Sequence, residues 1–150
     1  MLSTTSAYAL RALGRLAQEP PGTSLLGRVL AREAHVPEQY LPKLMLPLRH
    51  AGLVGSARGT GGGYRLERAA NHICLLEVVE VFEGPLGRPF CLLGMNPLCT
   101  ETNSCAAHRE WKRVRDEFVQ FLTQTTIGDL SVSAPGRAVE FTGNGPGGQP

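Results

Sequence analysis

The chain has 150 residues, 42% of them hydrophobic, a formal net charge of +2 and four cysteines. That length fits one domain, or one small domain with an appendage; it allows a sizeable core and excludes a multidomain enzyme with its own large cofactor fold. No run of about 18 apolar residues is present to span a membrane, and Met1 to Ala17 lack the basic region, long apolar block and cleavage site of a signal peptide. A cytoplasmic protein is expected, where thiols stay reduced and four cysteines point to metal ligation or redox chemistry rather than structural disulfides. The small net charge hides an asymmetry. Residues 1–70 carry nine Lys/Arg against four acids, a balance of +5, whereas residues 71–150 carry six bases and nine acids, a balance of −3. A basic half suits an anionic partner; the plain alternative is ordinary surface charge.

In chain order, Thr4 and Thr5 can cap a helix running to about Gln18, with Leu10, Leu13, Leu16 and Ala17 on one buried face. Pro20, Pro21 and Gly22 stop it. Ser24 is expected to cap a short helix through about Glu33, followed by a turn at Ala34–Val36. Pro37 suits the first position of a third helix, which needs no amide hydrogen there. That helix carries Tyr40, Leu41, Leu44, Met45 and Leu48 and closes near Gly52. Pro42 lies near its first turn; Pro47 is expected to bend or weaken it locally. Residues 53–57 and 64–66 read as two strands around the glycine-rich tip Arg58 to Gly63. Two helices joined by a tight turn and followed by such a hairpin make a winged helix-turn-helix, whose second helix enters the major groove while the hairpin reaches the backbone or minor groove.

Beyond the wing, Ile73–Leu75 reads as a short extended stretch and Glu77–Glu83 as a helix ended by Gly84 and Pro85. Residues 85–104 read as an irregular loop. A long helix is predicted from about Cys105 to Thr125, with Ala107, Trp111, Val114, Phe118, Phe121 and Leu122 spaced close to a heptad seam. Ile127–Leu130 can add one more turn. Gly143–Pro150, six of whose eight residues are Gly or Pro, is expected to be a flexible tail. The fold class is thus mainly α (α+β), a winged helix-turn-helix with a long C-terminal dimerisation helix. The expected units are a DNA-binding domain (1–84), a ligand-binding loop with the dimerisation helix (85–130) and a tail (131–150).

The glycine-rich tip resembles a phosphate loop in composition only, since no Gly-Lys-Ser/Thr follows and a strand comes next. In a wing, glycines permit close backbone approach to DNA and an arginine such as Arg58 can enter a narrow minor groove; a plain tight turn would also use glycines. The candidate DNA-binding residues are Ser24, Glu38, Gln39, Lys43 and Arg49 from the helices, with Arg58, Gly61, Gly62 and Tyr64 from the wing. Gln suits adenine edges, Lys suits guanine edges or phosphate, and helix amides near Thr23 and Ser24 suit a phosphate. Each alone is equally a solvated surface residue. One such domain reads only a short half-site, so a dimer on a two-fold operator is expected.

Cys91, Cys99 and Cys105 are separated by seven and five residues, and His108 follows Cys105 with two residues between. Cys105 and His108 are expected on one face at a helix start, where the helix N-terminus favours thiolate. Structural zinc usually shows close Cys-x-x-Cys pairs; these wider gaps suit a larger iron–sulfur cluster. Free thiols, a redox disulfide and zinc stay open. Cys74, between Ile73 and Leu75, reads as a buried small apolar residue. His35, His50 and His72 stand alone as surface or turn residues, and no nucleophile–base pair suggests an enzyme.

Taken together, these motifs resemble the Rrf-type family of bacterial winged-helix iron–sulfur transcriptional regulators, the IscR- and NsrR-like proteins. The matching segments are 8–13, 36–41, 47–54, 56–66, Glu83-Gly84-Pro85, the three cysteines, Cys105-Ala106-Ala107-His108-Arg109-Glu110-Trp111 and Thr125-Thr126-Ile127-Gly128-Asp129-Leu130. The resemblance covers roughly residues 1–131. It implies a homodimer with the long helix crossing between protomers, double-stranded operator DNA as partner, and affinity gated by cluster assembly, redox state or nitrosylation. It implies Cys91, Cys99 and Cys105 as cluster ligands. His108 is the fourth, because the acidic position that some members use in the first helix is Ala7 here. A two-iron, two-sulfur cluster is favoured and a four-iron, four-sulfur cluster possible. Two departures stand out: the seven-residue first gap is longer than in IscR, and Pro42 occupies the place of an acid. A cluster-free thiol or zinc sensor that still binds DNA is the alternative, and a protein-binding adaptor winged helix another.

Overall fold

The structure is a computed structural model that describes residues 2–59, 62–87, 91–93, 100 and 102–130. Helix α1 spans Thr4–Leu16. Its N-cap is Ser3, not Thr4 or Thr5: the Ser3 hydroxyl accepts from the Ser6 amide at 3.1 Å. A distant acid decides this. Glu83 accepts from the Ser3 amide at 3.0 Å and from the Ser6 hydroxyl at 2.6 Å, placing a carboxylate at the positive end of the helix. Hydrogen bonds from Ser3 and Ser6 hold the Glu83 carboxyl below its ordinary range.

Helix α2 spans Gly27–Glu33 and starts later than Ser24 predicts. Leu25 is drawn into a two-way backbone bridge with Tyr64, at 2.9 and 2.8 Å, which keeps residues before Gly27 extended. Leu26 therefore takes the cap position, with no side-chain cap. The turn after α2 falls where expected. Val36 donates to the Ala31 carbonyl at 2.8 Å and His35 to that of Arg32 at 3.3 Å, with His35 at φ 54°. This is a Schellman ending in which His takes the left-handed position usually given to Gly.

The third helix is split. Pro37 leads a one-turn 3-10 helix, Glu38–Tyr40, and helix α3 spans Leu41–His50. Pro42 explains the division, since a residue without an amide hydrogen fits only the first turn. Pro47 lies inside α3, which nonetheless runs on to His50. Strands β1 (Val54–Ala57) and β2 (Gly63–Leu66) pair antiparallel, Val54 opposite Leu66 and Ala57 opposite Gly63.

Helix α4 spans Leu75–Glu83. Cys74 is not the buried apolar residue expected. It is half-buried and sits at the head of α4, where Glu77 accepts from its amide at 3.3 Å and from its thiol at 3.6 Å. Helix α5 spans His108–Gln124, three residues shorter at its start than expected. The chain then returns: Leu75 donates to the Thr125 carbonyl at 2.9 Å and Ile127 to that of Ile73 at 2.8 Å. A 3-10 turn, Ile127–Leu130, packs back on α1. The core gathers Leu10, Leu13 and Leu16, Leu30, Leu44, Met45 and Leu48, Val78 and Val79, with Leu122 and Ile127 from the C-terminal part. Among the described residues no helix is long and apolar enough to cross a membrane. The expected tail, 131–150, lies outside the described residues.

Candidate nucleic-acid interface

The buried residues of α3 are Leu41, Leu44, Met45 and Leu48. The complementary arc, Pro42, Lys43, Leu46, Arg49 and His50, is exposed, as are Glu38 and Gln39 in the preceding turn. The sequence candidates Glu38, Gln39, Lys43 and Arg49 thus share the outer side of one helical segment. Lys43 lies 6.0 Å from the centre of the Tyr40 ring. Tyr40 is fixed in turn by an edge contact with Tyr8, centroids 5.7 Å apart, and by a 2.9 Å hydrogen bond with the Thr5 hydroxyl. The helix is therefore held to α1 by an aromatic pair on its inner side while its cations face out.

Arg58 is exposed at the end of β1. Gly62 is buried and donates to the Gly59 carbonyl at 2.9 Å, closing the tip; a Cβ there would strike the Ala57 and Gly59 carbonyls. Gly63, at φ 146°, has the Leu25 carbonyl where a Cβ would be. Gly61 lies outside the described residues. Tyr64 is half-buried, its ring beside Gly27 and its backbone bridged to Leu25. Gly62 and Tyr64 thus shape the wing and dock it on the start of α2. Ser24 is half-buried next to this bridge, two residues before the cap of α2. A shallow depression lined by Arg49, His50, Gly52, Ser56, Arg65 and Glu67 lies between the C-terminal end of α3 and the wing.

Ion pairing sorts the arginines of the basic half. Arg15 binds Glu19 and Glu33, both at 2.7 Å; Arg65 binds Glu67 at 2.9 Å; Arg68 binds Glu77. Arg28, Lys43, Arg49 and Arg58 are exposed and have no acidic partner among the described residues. The sequence reading missed Arg28. Its signal was its place on the second helix, one position inside the first turn, with no acid three or four residues away.

The cysteine segment is less complete. Cys91 is half-buried, Cys105 exposed and His108 half-buried at the first position of α5. Cys105 is not on the helix as expected; it precedes it, and its carbonyl accepts from the His108 amide at 3.0 Å. Cys99 lies outside the described residues, and among those described no three His, Cys, Asp or Glu side chains gather as a metal site. In chemical kind, thiols and an imidazole suit iron better than magnesium or calcium.

The predicted seam of α5 divides. Leu122 is buried and Phe118 packs on the core, whereas Val114 and Phe121 are 39% and 48% exposed. An apolar pair seven residues apart on the outer face of a helix is what a second helix would cover.

Residues 2–133 match the family model described as "Rrf2: Iron-dependent Transcriptional regulator". The chain is 34% identical to the HTH-type transcriptional regulator CymR of Bacillus subtilis over 131 residues, covering 87% of this chain and 88% of that one. It is 31% identical to the HTH-type transcriptional regulator IscR of Cereibacter sphaeroides over 132 residues, covering 86% and 85%. The solved structure of B. subtilis CymR, described as a global cysteine regulator, matches with a TM-score of 0.74 at 32% identity, over 87% of this chain and 95% of that one. T. potens IscR matches at 0.68 with 28% identity, over 87% and 85%. These relatives are transcriptional regulators and not enzymes, and they share the winged helix-turn-helix. The chain belongs to the Rrf2 family of DNA-binding transcriptional regulators.

Proposed function

We propose that the chain binds operator DNA as a homodimer through α3 and the wing, and that an iron–sulfur cluster on the segment leading into α5 sets its affinity. The observation that carries the DNA part is the set of exposed cations with no acidic partner among the described residues: Lys43 and Arg49 on the outer arc of α3, Arg28 on α2 and Arg58 at the end of β1. Glu38 and Gln39 stand at the leading end, where a recognition helix meets base edges. Arg58 suits a narrow minor groove or phosphate. Gly61 and Gly62 would let the tip approach the backbone, with Tyr64 holding the wing and Ser24 beside the Leu25–Tyr64 bridge. Homodimerisation rests on Val114 and Phe121, whose exposed apolar side chains a second α5 would cover.

Cys91, Cys99, Cys105 and His108 would hold the cluster, two-iron two-sulfur in preference to four-iron four-sulfur. When bound it would supply a redox- and nitric-oxide-reactive group to this segment. The chain's own part is structural: residues 85–107 join the DNA-binding unit, 1–84, to α5, so a ligand held on this segment would bear on how two protomers are spaced. A coupling of about 1–3 kcal/mol makes a useful switch. The test is anaerobic isolation followed by visible spectroscopy with iron and sulfide analysis. A coloured protein with near-stoichiometric iron and sulfide, whose operator affinity changes on oxidation or nitrosylation, is expected. A colourless protein with unchanged affinity would overturn the cluster reading.

A second reading is a cluster-free thiol or zinc sensor on the same DNA-binding frame. What favours it is the likeness to a structure described as that of a global cysteine regulator. Metal and sulfide analysis separates the two.

A further inference from the structure

We infer that Leu46 reads a thymine methyl group in the operator's major groove, an inference that rests on the DNA-binding reading above. Leu46 is 52% exposed. An exposed leucine is ordinary on a protein surface; its position is what matters here. It lies at the centre of the exposed arc of α3, within one turn of Pro42 and Lys43 on one side and of Arg49 and His50 on the other. Lys43 and Arg49 have no acidic partner among the described residues, so the apolar side chain is flanked by two cations that call for anions. B-DNA offers both chemistries in one surface: phosphates along the groove walls, and the thymine C5-methyl on the floor. A protein partner would need an acidic rim around a small apolar hole.

Within the arc, Pro42 and Leu46 have no side-chain hydrogen bonds to give; the polar readers are Glu38 and Gln39 ahead of it and Lys43, Arg49 and His50 around it. The operator is therefore expected to carry a thymine opposite Leu46 in each half-site.

The experiment uses the full chain and a pool of random-sequence duplexes, followed by affinity measurements on the selected duplex. Each thymine is replaced in turn by deoxyuridine, which removes only the methyl. At one position per half-site the change should weaken binding about four-fold, the worth of one buried methyl. Leu46→Ala should weaken binding to the methylated duplex by at least that much, be indifferent to the uracil substitution, and keep the salt dependence unchanged. If wild-type protein is indifferent to the methyl at every thymine, or Leu46→Ala still responds to its loss, the inference falls. If Leu46→Ala does not fold, the uracil series on wild-type protein decides alone. If wild-type protein enriches no duplex, the DNA-binding reading itself has failed, an outcome distinct from methyl-insensitive binding.

Discussion

The stretch from α1 to α4 and the long helix α5 handle apolar surface in opposite ways. In the first, nearly every large aliphatic side chain is turned inward, and the exceptions are Leu26, at the cap of the second helix, and Leu46, on the third. In the second, Leu122 is buried while Val114 and Phe121 are left open. The first stretch packs around one core, which Leu122 and Ile127 help to fill, with α1 and α4 capped by side chains and the wing bridged to its scaffold. The second keeps an apolar face that no described residue covers. What differs is the partner proposed for each: nucleic acid for one, a like helix for the other.

The sharpest way to break this contrast is Phe121→Glu. It should leave the fold intact but shift the protein to a monomer in sedimentation, and weaken binding to a two-fold operator by at least about 100-fold through lost avidity. An unchanged dimer would show that the α5 face is not the interface. Next is Gly63→Ala, which forces a Cβ against the Leu25 carbonyl at a backbone angle suited to glycine. It should cost about 2–4 kcal/mol in denaturant unfolding. Arg49→Ala or Arg58→Ala should each lower DNA affinity about ten-fold and reduce the salt slope by about one, while Arg65→Ala, already paired to Glu67, should do less. Last is Glu83→Gln, expected to cost about 1 kcal/mol at neutral pH by removing the charged cap on α1. Its sign follows from the lowered Glu83 carboxyl. The wild-type advantage is full above the ordinary carboxylate value and is lost as pH falls through the lowered folded value, so the two proteins should converge in acid. Urea melts across that range check it.

Much of the fold was legible because its signals are local. The spacing of Leu10, Leu13 and Leu16 marks a helix, and glycines between two short apolar runs mark a hairpin. Pro42 even contained the start of α3, since it tolerates no position beyond the first turn, although Pro37 was the more conspicuous proline. What escaped depended on distant partners. Nothing near Ser24 announces that Leu25 will pair with Tyr64, and nothing near Thr4 announces that Glu83 will select Ser3 as the cap. The site followed the same rule. The exposed arc of α3 is the complement of its core positions and could be read directly, but the pairing of Arg15 with Glu33 or Arg68 with Glu77 could not, so free cations emerged only once the acids were placed. The apolar spacing that marks α5 does not fix its first residue: Cys105 lies before the helix, which begins three residues later with Ala107 as an uncapped start.

The backbone bridge at Cys74 and Thr126 has a mechanical consequence. Through it the end of α5 is stitched to the head of α4, and the next turn rests on α1. A 17-residue helix is about 25 Å long. With its far end so anchored, it is a lever whose fulcrum is Thr125 and whose handle is the turn at His108. A push of about 2 Å on the handle rotates such a lever by about 5°, carried undiminished along the rigid rod. A displacement of the His108 end would therefore reach α4 and α1 through the helix itself, with no relay of side chains.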